Sequence, residues 1–234
     1  MLLPIRDENK SLTTPHVTRI LLIVNIVVFF VTFFPDFARS YWPLTLFGGY
    51  PSPSIDRAVG RFGLVPDLVL GGDQLYTFLT SMFLHADIIH LGGNMLFLYV
   101  FGDNVEDTFG HVRYLLFYLI AGIGASLLHI VAALSLGESG IPAIGASGAI
   151  AGVLGAYFVL YPRAKILTLV FLFWITIVAI PAVVFLGLWF VYQFLYGTLA
   201  GSGGGVAYWA HIGGFITGIV FGVAWRGRRR KREL

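Results

Sequence analysis

The 234-residue chain is 57% hydrophobic and 12% charged, with a mean hydropathy of +0.84; soluble domains carry about a quarter charged residues, so this is an integral membrane protein. The absence of cysteine excludes a disulfide framework, a thiolate nucleophile and a thiolate metal site. The net charge of +3 owes much to the basic tail from Arg226 to Arg232, which follows an apolar segment directly and reads as an anchor on anionic lipid, not as a nucleic-acid contact.

Residues 1–18 are polar and form a short N-terminal segment. The apolar run Ile20 to Phe34 follows, with Arg19 placed to snorkel at its end. No small-x-small cleavage site comes after it, so it reads as a first span and not as a signal-peptide core. Residues 35–83 are mixed, with Tyr41, Trp42, Tyr50 and Tyr76 among prolines and glycines. Such aromatic residues favour the membrane interface, and a connection this long is more often functional than idle.

The stretch from Leu84 to Asn94 leads into the apolar Met95 to Phe101. His90 and Asn94 stand at i and i+4, on one face of a helix and one turn apart. Polar side chains inside a membrane helix are costly, so these two either hydrogen-bond a neighbouring helix or serve a site. Gly102 to Asp107 reads as an acidic turn, and Tyr114 to Leu136 as a third span. His129 near its end reads as a packing histidine, while His16 and His111 lie in polar flanks and read as solvated.

A fourth span begins at Gly145-Ala146-Ser147-Gly148, with Gly152 further along, and ends near Tyr161. Small residues at four-residue spacing usually signal packing alone, and a serine among them usually bonds its own backbone. The next apolar run is divided by Pro181. Its first half, Ile166 to Ile180, is β-branched and aromatic and reads as interfacial or partly extended; Ala182 to Tyr196 reads as the fifth span. After the glycine-rich loop 197–205 comes a sixth span, opening with Ala210-His211-Ile212-Gly213-Gly214, in which Gly214, Gly218 and Gly222 form a smooth ridge.

Charge supports the same count. With six spans Arg6, Lys10, Arg19, Arg113, Arg163, Lys165 and the tail collect on one side, against Arg39, Arg57 and Arg61 on the other. By the positive-inside rule both termini are cytoplasmic. The organisation expected is an all-α, six-helix polytopic bundle over 19–225, with a long first loop at 35–83, a short segment 1–18 and a basic tail 226–234.

Helical rise levels the polar residues against one another. Counted from Tyr161 and Trp225, Ser147 and His211 both stand roughly 21 Å above the cytoplasmic face. Counted from Phe101, Asn94 and His90 come out at roughly 10 and 16 Å, somewhat lower. If the glycine ridge of the sixth span meets Gly148 and Gly152, a serine and a histidine come within hydrogen-bonding reach, the geometry of a nucleophile and its general base. No carboxylate is placed to orient the histidine, which implies a dyad. Donors for a developing oxyanion are His90, Asn94 and the Ser147 backbone N–H at a helix start.

These residues resemble the rhomboid intramembrane serine proteases. The G-x-S-G at Gly145 to Gly148, the H-x-x-x-N at His90 to Asn94 and the A-H-x-x-G at Ala210 to Gly214 fall in that family's order, over about Leu75 to Trp225. The resemblance implies Ser147 as nucleophile, His211 as base, and His90, Asn94 and Gly145 as oxyanion or supporting residues. It implies a serine endopeptidase with neither cofactor nor metal, acting on single-span membrane proteins near the outer face of the bilayer. The alternative is a noncatalytic rhomboid-like protein that binds membrane helices. In this sequence Leu75-Tyr76 stands where some bacterial members have Trp-Arg. Ala151 stands where they have a tyrosine against the histidine, a place that Tyr208 or Trp209 would have to fill. The segment 182–196 with the loop 197–205 is the candidate gate, and the lack of a transit-like extension favours a prokaryotic plasma membrane.

Overall fold

A computed structural model describes residues 2–37, 53–171, 175–199 and 207–232. Its elements in order are β1 (Leu2–Asp7), α1 (His16–Phe37), α2 (Pro53–Phe62), α3 (Pro66–Leu70) and α4 (Thr77–Thr80), which continues into a 3-10 turn, Ser81–Phe83. Then come α5 (Ile88–Phe109), α6 (His111–Leu136), α7 (Ser147–Leu160), β2 (Lys165–Phe171), β3 (Ile175–Pro181), α8 (Ala182–Leu199) and α9 (Tyr208–Arg232).

The helices α1, α6, α8 and α9 are each long and apolar enough to cross a membrane. A fifth candidate span arises when Thr77–Phe83 is taken with α5 across a 97° bend, and α7 is a shorter apolar helix of 14 residues. The chain is therefore an integral membrane protein with a mostly helical, polytopic bundle.

Helix α7 is the hub of this bundle. Every residue from Gly148 to Tyr157 is buried, and α5, α6, α8 and α9 all pack on it. Its composition explains the position: glycine and alanine give it a thin profile, so four neighbours can approach at once. Around it lies a core that includes Phe101, Tyr114, Phe117, Tyr118, Leu154 and Phe215. A second cluster, Phe29, Phe33, Ile55, Leu91 and Met95, joins α1 and α2 to α5.

Four details differ from the sequence reading. First, the acidic stretch 102–107 is no turn, because α5 continues through it to Phe109. Its polar groups have found partners far along the chain. The buried Glu106 carboxylate accepts hydrogen bonds from the Val17 and Thr18 backbone N–H groups at 2.9 and 2.8 Å, capping the start of α1. His111, read as solvated, holds the same carboxylate through Nδ1 at 2.6 Å, and His16 packs edge-on against it with ring centroids 5.2 Å apart.

Second, the N-terminal segment contains a strand. β1 pairs antiparallel with β2, which pairs antiparallel with β3, so the extended segment expected before α8 forms two strands of a three-stranded sheet. Asp7 at the end of β1 accepts from Tyr157 Oη of α7 at 2.5 Å and from Asn104 Nδ2 of α5 at 2.7 Å. Third, the described part of the first loop is largely helical, and residues 38–52 of it lie outside the described residues. Fourth, of the glycine-rich loop 197–205 the first three residues belong to α8, and 200–205 lie outside the described residues.

β1, the end of α5, the end of α7 and the end of α9 all meet at one end of the bundle, where Phe109 and Trp225 rings lie 4.9 Å apart. β1 and the end of α9 therefore sit on the same side.

Candidate functional site

At the opposite end, Ser147 is the first residue of α7. The loop leading to it is braced by the helical first loop. Leu64 and Ala143 exchange backbone hydrogen bonds of 3.0 and 2.8 Å, the Asp67 N–H donates to the Ser139 carbonyl at 3.0 Å, and the Gly145 N–H donates to the Ser81 carbonyl at 2.9 Å. Gly145 itself has φ +118°, a conformation that side chains rarely adopt. A Cβ there would stand 2.8 Å from His90 Nε2 and 3.6 Å from Ser147 Oγ, so His90 and Ser147 converge on this one glycine.

His90 is fixed by the start of α5, where the Asp87 carboxylate caps the helix by accepting from the Ile89 and His90 N–H groups, both at 2.8 Å. Asn94, one turn on, donates its amide to the His90 carbonyl at 2.8 Å and is 7% exposed. Because α5 ends at Phe109 and not at Phe101, the depth estimate for these residues changes. From Phe109, Asn94 stands at roughly 22 Å and Ser147, from Leu160, at roughly 20 Å. The two are level.

Helices α7 and α9 are in backbone contact. A Cβ at Gly214 would land on the Gly148 carbonyl oxygen, and one at Gly218 on the Gly152 carbonyl oxygen. Gly148 and Gly152 of α7 face a different neighbour: a Cβ at Gly148 would be 2.6 Å from the Ala125 methyl of α6, and one at Gly152 would meet Ala121. So Gly214 and Gly218 admit α7 to α9, while Gly148 and Gly152 admit α6 to α7.

This approach brings Ser147 Oγ to 2.8 Å from His211 Nε2. The other ring nitrogen, Nδ1, is 2.8 Å from Gln193 Oε1 of α8, a side chain 4% exposed. Trp189, one turn earlier on α8, lies beside the imidazole with ring centroids 5.8 Å apart and planes inclined by 32°. Trp189 is thus an aromatic neighbour of the histidine. Tyr208 instead packs near Tyr192 and Tyr196, and Trp209 donates its indole N–H to the Gly197 carbonyl at 3.1 Å. Sequence reasoning missed both α8 residues, although Gln193 is the lone amide of an apolar span and so stood out as a polar group in lipid.

A cavity of about 530 Å³ opens over this group, lined by Ser147, His211, His90, Asn94 and Trp189 among others. It runs between α5 and α8. Towards the sheet end α8 meets α5 at Phe185, whose ring lies 6.5 and 6.3 Å from those of Phe97 and Phe101. A second, small cavity of about 30 Å³ lies behind Ser147, with Ser81, Ser126 and His129 in its wall. His129, read as a packing residue, has its buried Nε2 without a partner there. A hydroxyl bonded to an imidazole, with the imidazole oriented from behind and further donors nearby, can act as an activated nucleophile towards a carbonyl.

The Rhomboid domain family matches residues 72–228, more than half of the chain. RHOMBOID-like protein 6, mitochondrial, of Arabidopsis thaliana is 36% identical over 161 residues, covering 66% of this chain and 45% of that protein. Rhomboid protein 1, mitochondrial, of Saccharomyces cerevisiae is 33% identical over 153 residues, covering 61% and 39%. Rhomboid protease GluP of Bacillus subtilis is 40% identical over 95 residues, covering 41% and 18%. The chain thus spans less than half the length of each of these relatives. Two of them are mitochondrial by name, so the expectation of a prokaryotic plasma membrane finds no support in them. With a family match over more than half of the chain that takes in Ser147, His211 and the lining of the larger cavity, the chain belongs to the rhomboid family.

Proposed function

We propose that the chain is an intramembrane serine endopeptidase that cleaves single-span membrane proteins near the outer face of the bilayer through a Ser147–His211 dyad. The observation that carries this reading is the 2.8 Å contact of Ser147 Oγ with His211 Nε2 at the wall of a cavity reached from between two helices. Ser147 Oγ attacks the scissile carbonyl carbon while its proton passes to His211 Nε2. The carbon–nitrogen bond then breaks, the amine leaves with that proton, and an acyl ester remains on Ser147. Water, deprotonated by the same nitrogen, hydrolyses the ester. The small cavity behind Ser147 is large enough for one water molecule, and Ser81, Ser126 and His129 offer it partners.

The negative charge of the tetrahedral intermediate falls where the Ser147 N–H at the start of α7, the His90 ring and the Asn94 amide can donate to it. Gly145 supports them, because only a residue without Cβ leaves the His90 ring room there. A membrane helix satisfies its backbone internally, so a substrate must unwind before its carbonyl is exposed, and residues that weaken helices, such as Gly or Pro, mark the cut. The cavity between α5 and α8 is the entrance, with α8 as gate. Basic residues crowd the sheet end, which supports a reading with that end in the cytoplasm and the cavity towards the outer face.

The reading is tested by labelling Ser147 with a fluorophosphonate in liposomes and by mapping the cut in a tagged single-span substrate. Wild type labels and cleaves; Ser147→Ala and His211→Ala do neither. A wild type that binds the substrate helix yet neither labels nor cleaves is the noncatalytic helix-binding protein instead.

A further inference from the structure

For Nε2 of His211 to accept a proton from Ser147, the resting imidazole must carry its own proton on Nδ1. A histidine in an apolar bundle has no intrinsic reason to choose that tautomer or to keep one ring plane. We propose that Gln193 is the positioning residue that fixes both, and that its place on α8 ties the competence of the dyad to the position of that helix. The proposal rests on the reading of Ser147 and His211 as nucleophile and base.

Gln193 Oε1 stands 2.8 Å from His211 Nδ1. A carbonyl oxygen only accepts, so the contact requires Nδ1–H and leaves Nε2 free to accept from Ser147. Gln193 is 4% exposed, so its side chain is held out of bulk solvent. Trp189, one turn earlier, covers the ring at 5.8 Å. One α8 side chain holds the edge of the imidazole and another lies along it. An amide also suits this depth in a way a carboxylate does not, because it orients the ring without placing an ionised group in lipid.

The three participants ride on three helices held in different ways. Ser147 on α7 and His211 on α9 are kept together by backbone contact at Gly214 and Gly218. Gln193 is on α8, whose first residues are tied by backbone hydrogen bonds to Ala164 and Pro162 but which, nearer the site, packs through side chains such as Phe185, Trp189 and Phe190. When α8 moves aside, serine and histidine stay within reach of each other, but Nδ1 loses its acceptor and the ring its neighbour. An open gate therefore leaves an idle dyad, which becomes competent when α8 returns against an admitted substrate.

The full chain in liposomes decides this, with fluorophosphonate labelling and 15N-histidine spectra as the readouts. Gln193→Met keeps the length and loses the acceptor, whereas Gln193→Glu restores one. The labelling rate falls about 100-fold in Gln193→Met and recovers in Gln193→Glu. In Gln193→Glu the acid limb of the rate profile moves to higher pH, since a carboxylate beside Nδ1 favours the imidazolium. The other titratable groups that line the cavities at Ser147, Asp87 and His90 at the start of α5 and His129 on α6, are unchanged in both variants. The His211 signals, assigned by difference from His211→Ala, change from Nδ1–H in wild type to a mixture of tautomers in Gln193→Met. Wild-type labelling and an unchanged spectrum in Gln193→Met overturn the positioning role while leaving the dyad intact. If Gln193→Met does not fold, an unmoved acid limb in Gln193→Glu overturns it instead. A wild type that never labels overturns the dyad reading itself.

Discussion

Helix α7 has two seams of opposite character. Against α9 the contact is backbone on backbone: Gly214 and Gly218 lie under the carbonyls of Gly148 and Gly152, and Gly155 lies against the Phe215 carbonyl. Towards α8 the contact is made by rings and then by empty space. The Phe158 ring of α7 lies against Gly187 of α8, where a Cβ would stand 3.9 Å from it, and beyond this the cavity begins, walled by Ile150, Ala151 and Leu154 of α7 and by Trp189 of α8. Backbones in contact cannot slide without separating, because interiors are packed like crystals. Rings can exchange partners at little cost. The pair of residues that performs chemistry in the proposed function thus lies across the seam that cannot deform, and access lies along the seam that can.

The largest expected effect comes from prising the first seam apart. Gly214→Val puts a branched side chain where the Gly148 carbonyl stands, at a cost of about 3 kcal/mol or more. Both the thermal unfolding midpoint in detergent and the labelling of Ser147 should fall sharply. Wild-type values in that variant would show that this seam yields as easily as the other.

The second seam is sharpened by holding α8 in place from its other side. The chain lacks cysteine, so Phe97→Cys with Phe185→Cys gives a single pair that a bifunctional thiol reagent can join across α5 and α8. Cleavage of a membrane-embedded substrate should stop while the small reagent still labels Ser147, and reversing the cross-link should restore cleavage. Full cleavage with the tether closed would remove α8 as the entrance.

The smallest effect concerns the sheet end, where contact is polar. Burial pushes the Asp7 carboxyl up to about 6 from 3.8, against the opposing effect of the Tyr157 hydroxyl. The folded state therefore holds the proton more tightly than the unfolded one, so this contribution to stability is complete below about 3.8 and is lost as pH rises through about 6. Amide exchange in Leu3 to Asp7, corrected for intrinsic rate, should slow between pH 7 and pH 5. Asp7→Asn should be slow at both. Equal protection of the wild-type strand at the two pH values would count against a titrating anchor.

Much of the site was legible because its signals are local and periodic. His90 and Asn94 share a face by spacing alone, and the glycines at 148, 152, 214 and 218 announce close approach by their own absence of side chain. The strands before α8 were legible in their β-branched residues. The end of α5 was not. Gly102-Asp103-Asn104 has the composition of a turn, yet the segment stays helical because Asn104 finds Asp7 and Glu106 finds the Val17 and Thr18 N–H groups. Those partners are some ninety residues away, beyond any local pattern. That single error lowered Asn94 and His90 in the depth estimate. Trp189 was hidden differently: it is one aromatic among many in an apolar run, and only the fold shows which ring meets the histidine.

The strand β1 has a consequence for the order in which the chain takes shape. Leu2 pairs with Val170, and Asp7 is held by Tyr157, 150 residues later. At a synthesis rate of about 5–20 residues per second, β1 waits on the order of ten seconds for its partners to exist. Until then it has no sheet to join and no acceptor role to fill. Its docking can come only after α5 and α7 are made and β2 has emerged beyond them, which makes the first strand synthesised among the last pieces set in place.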